Sequence, residues 1–188
     1  MQTETTTATP APVAPLLIEF LYLDLSTCQR CRGTDEVLSQ ALELSSPALE
    51  AMGLAAEIRK VHVQSEDQAI EEDFVASPTI RVNGVDIHPE ILLNSCKDCG
   101  DLCGCAEGVD CRVWRYRGEE FTEPPVGLVV NAIMAAAVGR RLPGTSGTAP
   151  VSEKARKNMQ KYFANTNAER EQDACCATDC CSGTRATE

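Results

Sequence analysis

Two cysteines with two residues between them, in the segment Cys28-Gln29-Arg30-Cys31, stand where an apolar run gives way to a helical pattern. A thiol at a helix N-terminus faces unpaired backbone N–H groups and the positive end of the helix dipole, so its thiolate is stabilised. Cys28 occupies that position, and Arg30 and Arg32 flank the site with positive charge. The spacing lets Cys31 attack a mixed disulfide on Cys28 and release the product, which makes Cys28 the nucleophile and Cys31 the resolving thiol. The same pair also serves as half of a zinc site, so metal ligation stands beside the redox reading. Asp24, at the end of the apolar run, is the candidate proton acceptor.

Five more cysteines follow the spacing Cys-x2-Cys-x3-Cys-x-Cys-x5-Cys, at Cys96, Cys99, Cys103, Cys105 and Cys111. Gly100, Gly104 and Gly108 give the backbone freedom to turn these sulfurs toward one centre. Four thiolates around zinc is the leading expectation, with Cys96, Cys99 and Cys111 joined by either Cys105 or Cys103. The spacing matches no standard ferredoxin pattern. Disulfides or free thiols are the alternative. A third group, Cys175, Cys176, Cys180 and Cys181 in ACCATDCCS, suits a soft cation such as copper(I), zinc, mercury or trivalent arsenic, or a relay of electrons to the CxxC. His62 and His88 read as surface or packed side chains.

These groups need a scaffold, and the pattern supplies one. Leu16 to Leu23 reads as a buried strand. Val37, Leu38, Ala41 and Leu42 mark a helix after Cys31, with Asp35 and Glu36 suited to its first turn and Pro47 ending or interrupting it. Ala55 to Val63 reads as a second strand and Glu66 to Phe74 as a short helix. Ile80 and Val82, the turn Asn83-Gly84, then Val85 and Ile87 make a hairpin beginning just after Pro78. Arg112 to Tyr116 is a short strand, Val126 to Val138 a helix opened by Pro124 and Pro125, and Glu153 to Phe163 one further helix.

The resulting expectation is an α/β domain over residues 16–139, with a mixed sheet of about four strands flanked by helices. Residues 94–112 form a Cys-rich insertion before its last helix. Residues 1–15 are an expected disordered leader, 140–151 a linker, and 152–188 a helix with a disordered Cys-rich tail. A net charge of -11 argues against binding nucleic acid or anionic membrane. The start has no basic residue, and the run LLIEFLYL is short and holds Glu19, so no signal or membrane span is read and the cytoplasm is expected. In that reducing compartment, 11 cysteines point to metal binding or catalysis more than to a disulfide scaffold.

Strand, CQRC, helix, strand, helix, then Ser77-Pro78-Thr79 leading into a hairpin with Asn83-Gly84 at its turn resembles the thioredoxin and glutaredoxin superfamily over residues 16–138. More narrowly, the chain is similar to uncharacterised bacterial thioredoxin-like proteins of unknown function with a Cys-rich insertion. The resemblance implies that Pro78 is a cis-proline facing the CxxC and that Ser77 pairs through its backbone with an extended thiol substrate. The chain departs from thioredoxin proper in lacking a Trp before Cys28 and a Gly-Pro between the cysteines.

Three functions follow as expectations. The first is a dithiol-disulfide oxidoreductase acting through Cys28 and Cys31 on protein thiols, disulfides or small thiophilic species. The second is a protein that binds or delivers a soft metal on the same scaffold. The third is a structural interaction domain with a zinc knuckle. Zinc is the candidate cofactor, and no organic cofactor is expected.

Overall fold

The computed structural model describes residues 15–105, 108–139 and 153–177, the last segment with side chains as far as Thr166. At its centre is strand β1 (Leu16–Tyr22), buried along most of its length. β1 pairs in parallel with β2 (Ala56–His62), Leu16 opposite Ala56 and Tyr22 opposite His62. On its other side it runs antiparallel to β3 (Thr79–Val82), which turns into the short β4 (Val85–Asp86), giving the order β2-β1-β3-β4. A parallel pair needs a crossover, and the 23-residue helix α1 (Gln29–Ala51) supplies it. The β3–β4 turn has Asn83 and Gly84 both at positive φ, the geometry that matches the twist of paired strands.

Alternation along β1 divides the interior into two cores. Leu16, Ile18 and Phe20 face α1 and α4 (Val126–Ala137), meeting Leu38, Ala41, Leu49, Val129, Ala132 and Ile133. Leu21 and Leu23 face the opposite side, where Val61, Val63 and Phe74 adjoin the cysteines. α2 (Glu66–Glu71) is short and opens with Ser65, whose hydroxyl accepts from the Gln68 N–H.

Several boundaries differ from expectation. α1 begins at Gln29, so Asp35 and Glu36 lie beyond its first turn. It also passes through Pro47: one hydrogen bond is lost there, but buried Leu49 anchors the final turn, and the N–H groups of Met52 and Leu54 close onto Ala48 and Leu49. The segment after the hairpin is more ordered than its cysteine content suggested. β5 (Leu92–Cys96), β6 (Val109–Tyr116) and β7 (Glu119–Phe121) form a second, antiparallel sheet, with α3 (Lys97–Leu102) between β5 and β6. β5 is hard to read from sequence because Asn94 and Ser95 are exposed and no apolar alternation marks it. α5 runs Glu153–Ala177, well past Phe163. Among the described residues, no helix is long and apolar enough to cross a membrane.

Candidate thiol centre

Cys28 is the N-cap residue of α1, and the loop before it is bracketed by Asp24. One carboxylate oxygen of Asp24 accepts from the N–H groups of Thr27 at 2.5 Å and Cys28 at 3.1 Å, and the other accepts from the Ser26 hydroxyl. Burial opposes ionisation of Asp24, but the Thr27, Ser26 and Cys28 hydrogen bonds outweigh it and hold its carboxyl below the ordinary range. Asp24, the candidate proton acceptor, thus clamps the loop before Cys28. A second carboxylate arrives from the insertion, where Asp98 accepts from the Gln29 N–H at 2.8 Å. Arg30 does not turn toward the sulfurs. Its guanidinium spans to the Asn94 side-chain oxygen and the Ser95 carbonyl, clamping β5 onto α1.

These contacts deliver the insertion cysteines to the CxxC. The Sγ atoms of Cys28, Cys96 and Cys99 all lie within 4.8 Å of one another. Cys99 donates to Cys28 across 3.7 Å, and Cys111 donates to Cys99 across 3.2 Å. None of the four is more than 3 % exposed. Two legs of the chain must nearly touch for this: a Cβ on Gly100 would stand 3.3 Å from the Gly108 Cα, which is why α3 and the start of β6 pack so closely. Cys103 and Cys105 bond to each other as a disulfide. Cys103 and Cys105, expected as alternative members of a zinc set with Cys96, Cys99 and Cys111, are thus bonded to each other, and the three sulfurs that the fold gathers within 4.8 Å are those of Cys28, Cys96 and Cys99. Spacing alone offered no signal for this, since Cys28 and Cys99 are brought together only by tertiary packing.

Cys31 is also buried, with its sulfur 3.3 Å from the Ser77 hydroxyl oxygen. Ser77 precedes Pro78 through a cis peptide bond, and its hydroxyl accepts from the Leu23 N–H. The Ser77 carbonyl accepts from the Arg112 N–H at 2.8 Å. The chain's own β6 thus lies along the edge at Ser77. Thr79 donates to the Ala76 carbonyl and accepts from the Arg112 guanidinium. Arg112, a residue that sequence reading passed over, is fully buried: it also pairs with Asp86, donates to the His88 carbonyl and stacks on Trp114 at 4.5 Å. His88 is a packed histidine between the Glu90 and Arg115 carbonyls, and His62 lies between the Leu23 carbonyl and Gln64.

The sulfurs divide the protons unequally. Hydrogen bonds from Cys111 first, then from Cys31, Cys96 and Cys99, push Cys28 far toward the thiolate. Cys96 is lowered to about 7, chiefly by Cys111. The bond to Cys28 and then burial keep Cys31 a thiol. Cys99 and Cys111 are likewise held protonated, Cys99 mainly by its bond with Cys111 and Cys111 mainly by Cys28.

α5 covers the centre. Met159, Tyr162 and Phe163 enter the same core as the cysteines, and burial raises the Tyr162 phenol above its usual range. Asn158 fixes the helix by accepting from the Asp110 N–H and donating to the Asp110 carbonyl. The Asn165 amide reaches the Cys105 sulfur. Cys175 and Cys176 fall in the last turn of α5, where side chains are not described, and Cys180 and Cys181 lie outside the described residues.

Fold and site together define an α/β protein with a mixed four-stranded sheet and a buried cysteine centre whose sulfurs suit a metal ion. The chain belongs to the family described as Domain of unknown function (DUF2703), which it matches over residues 16–133. No curated protein and no solved structure matches it.

Proposed function

We propose that this protein binds a soft, thiophilic ion through Cys28, Cys96 and Cys99, with Cys111 beside them, on a thioredoxin-like scaffold. The observation that carries the reading is that the first cysteine of the CxxC lies among the insertion sulfurs, 3.7 Å from Cys99, with no exposed surface of its own. Zinc bound tetrahedrally by thiolates at about 2.3 Å requires sulfurs about 3.8 Å apart, so this pair needs almost no movement to share an ion. Thiolates select soft ions over hard ones, which makes zinc, copper(I), mercury and trivalent arsenic the candidates. The scaffold reading rests on the parallel β1–β2 pair, the antiparallel β1–β3 and β3–β4 pairs and the CxxC opening α1.

A second reading, dithiol exchange by Cys28 and Cys31, is favoured by the Cys28 thiolate and the protonated Cys31 beside Ser77. Its partners would be small thiophilic species that reach a buried sulfur, because β6 covers the edge at Ser77. Both readings place the protein in a reducing compartment such as the cytoplasm, where the free thiols persist.

The test is anaerobic purification of the reduced protein, elemental analysis, and titration with each candidate ion. Retention of one ion that falls away in Cys28→Ser and Cys99→Ser supports binding. Unchanged retention in both variants, together with Cys28-dependent reduction of a small disulfide, moves the assignment to exchange.

A further inference from the structure

The charge around the sulfurs bears on which thiophilic ion they hold. A buried complex that keeps net charge carries a desolvation cost unless opposite charge faces it. Zinc with four thiolates carries two net negative charges, and copper(I) with three carries the same. Two carboxylates at the start of α1 add to that charge instead of offsetting it. Asp24 and Asp98 both aim carboxylates at the start of α1, on the N–H groups of Cys28 and Gln29, where they oppose the helix dipole. The neighbouring cations are engaged elsewhere: Arg30 on Asn94 and Ser95, and Arg112 on Asp86, Thr79 and the face of Trp114. Lys97 and Arg32 are exposed. The α5 side chains that enter the cysteine core, Met159, Tyr162 and Phe163, are apolar and aromatic, and Lys154 of the same helix is paired with Asp110.

Resting on the reading of this centre as a thiophilic-ion site, we infer that its ligand is a trivalent metalloid, arsenite or antimonite, held as a neutral tris-thiolate by Cys28, Cys96 and Cys99. These are the three sulfurs that lie within 4.8 Å of one another. Binding is a condensation without change of oxidation state: As(OH)3, the Cys28 thiolate, the Cys96 and Cys99 thiols and one proton from solvent give As(SR)3 and three waters. Each arsenic–oxygen bond is replaced by an arsenic–sulfur bond, and each hydroxide leaves as water, two with a thiol proton and one with the solvent proton. The product carries no net charge, so closing α5 over it costs no ionic desolvation. Cys111, whose thiol donates to Cys99, is then a supporting hydrogen-bond donor instead of a ligand.

The experiment uses the full-length reduced chain with Cys175, Cys176, Cys180 and Cys181 all replaced by serine, so that the tail does not contribute sulfur. Sodium arsenite is the probe, and zinc is titrated in parallel. Arsenic-edge X-ray absorption on the otherwise unaltered centre counts the sulfurs directly. Three arsenic–sulfur bonds at one arsenic per chain are expected. Cys28→Ser, Cys96→Ser and Cys99→Ser should each weaken retention by more than about 100-fold, since even outer-shell changes at metal sites cost 10–100-fold. Cys111→Ser and the Cys103→Ser/Cys105→Ser pair should change it far less. Trp114, the single tryptophan and fully buried, reports by fluorescence whether each variant is folded. Two sulfurs per arsenic, dependence on Cys103 and Cys105, or loss of arsenite binding with the tail cysteines overturns the inference. Tight zinc binding that requires Cys111, with no arsenite retained, overturns it while leaving the thiophilic reading intact. A protein that retains neither ion removes both.

Discussion

Arg112 shows how much of the centre depends on a residue with no thiol chemistry. Its N–H holds the Ser77 carbonyl, its guanidinium ties β6 to Asp86 and Thr79, and Cys111 precedes it in the chain. Replacing one partner of a buried ion pair leaves the other uncompensated, at about 3–5 kcal/mol. Arg112→Met is therefore expected to destabilise the fold by about 3 kcal/mol, because Asp86 keeps partial access to water. Denaturant titration followed by Trp114 fluorescence measures this effect. Asp24 makes a different prediction. Removing its loop clamp in Asp24→Ala should cost about 1 kcal/mol, as for a lost helix cap. Its folded-state pKa lies below the unfolded one, so this stabilisation is full above about pH 4 and fades as pH falls through the lowered value. The gap between wild type and variant should close in acid; a gap that stays constant down to pH 2 would show that the carboxylate charge is irrelevant.

Among the elements, α5 stands apart because it begins beyond residue 133, where the family match ends, and still closes the family domain's cysteine centre. Its hold on β6 runs through Asn158, which satisfies both backbone groups of Asp110. Asn158→Ala leaves those groups without their partner, a cost of about 1–3 kcal/mol. Opening of α5 should then be easier, and alkylation of Cys96, Cys99 and Cys111 in the ion-free protein about tenfold faster or more. Peptide mapping after a timed pulse of iodoacetamide reads this out. Equal alkylation rates would mean that the sulfurs are reached by another route. Gly100 makes the complementary point inside the insertion, where the close approach of Gly108 leaves little space for a side chain.

For the whole molecule, the two cores have different dependence on an ion. The core between the sheet, α1 and α4 is built of ordinary hydrocarbon side chains, whereas the other gathers Cys28, Cys31, Cys96, Cys99, Cys103, Cys105 and Cys111 into one cluster. An ion that binds only the folded state adds RT ln(1 + [L]/Kd), or about 4 kcal/mol at a thousandfold excess over Kd. Calorimetry of the reduced protein should therefore give a higher Tm with the bound ion than after chelation. Hydrogen exchange should slow mainly in β5, α3 and β6, with little change in α1 and α4. Uniform slowing across both cores would instead place the ion's effect on global unfolding alone.

Much of the main sheet was legible in the residues because local rules govern it. The apolar run of β1, the branched residues of β2 and the Asn83-Gly84 turn each announce their structure within a few positions, and β1, α1, β2, α2, β3 and β4 follow the expected order. The cysteine types were equally plain, as was the CxxC at the start of a helix. Their grouping was not, because a sulfur's neighbours are set by folding across long separations. Asp98 on the Gln29 N–H, Arg30 on Asn94 and Ser95, and Arg112 on Ser77 are contacts over 69, 64, 65 and 35 residues, and none leaves a trace in local spacing. The sequence by itself determined which atoms are available for thiol chemistry and which strands carry them. Only the tertiary structure decided that Cys28 sits with Cys96, Cys99 and Cys111, because burying four sulfurs together depends on the packing of the insertion against α1.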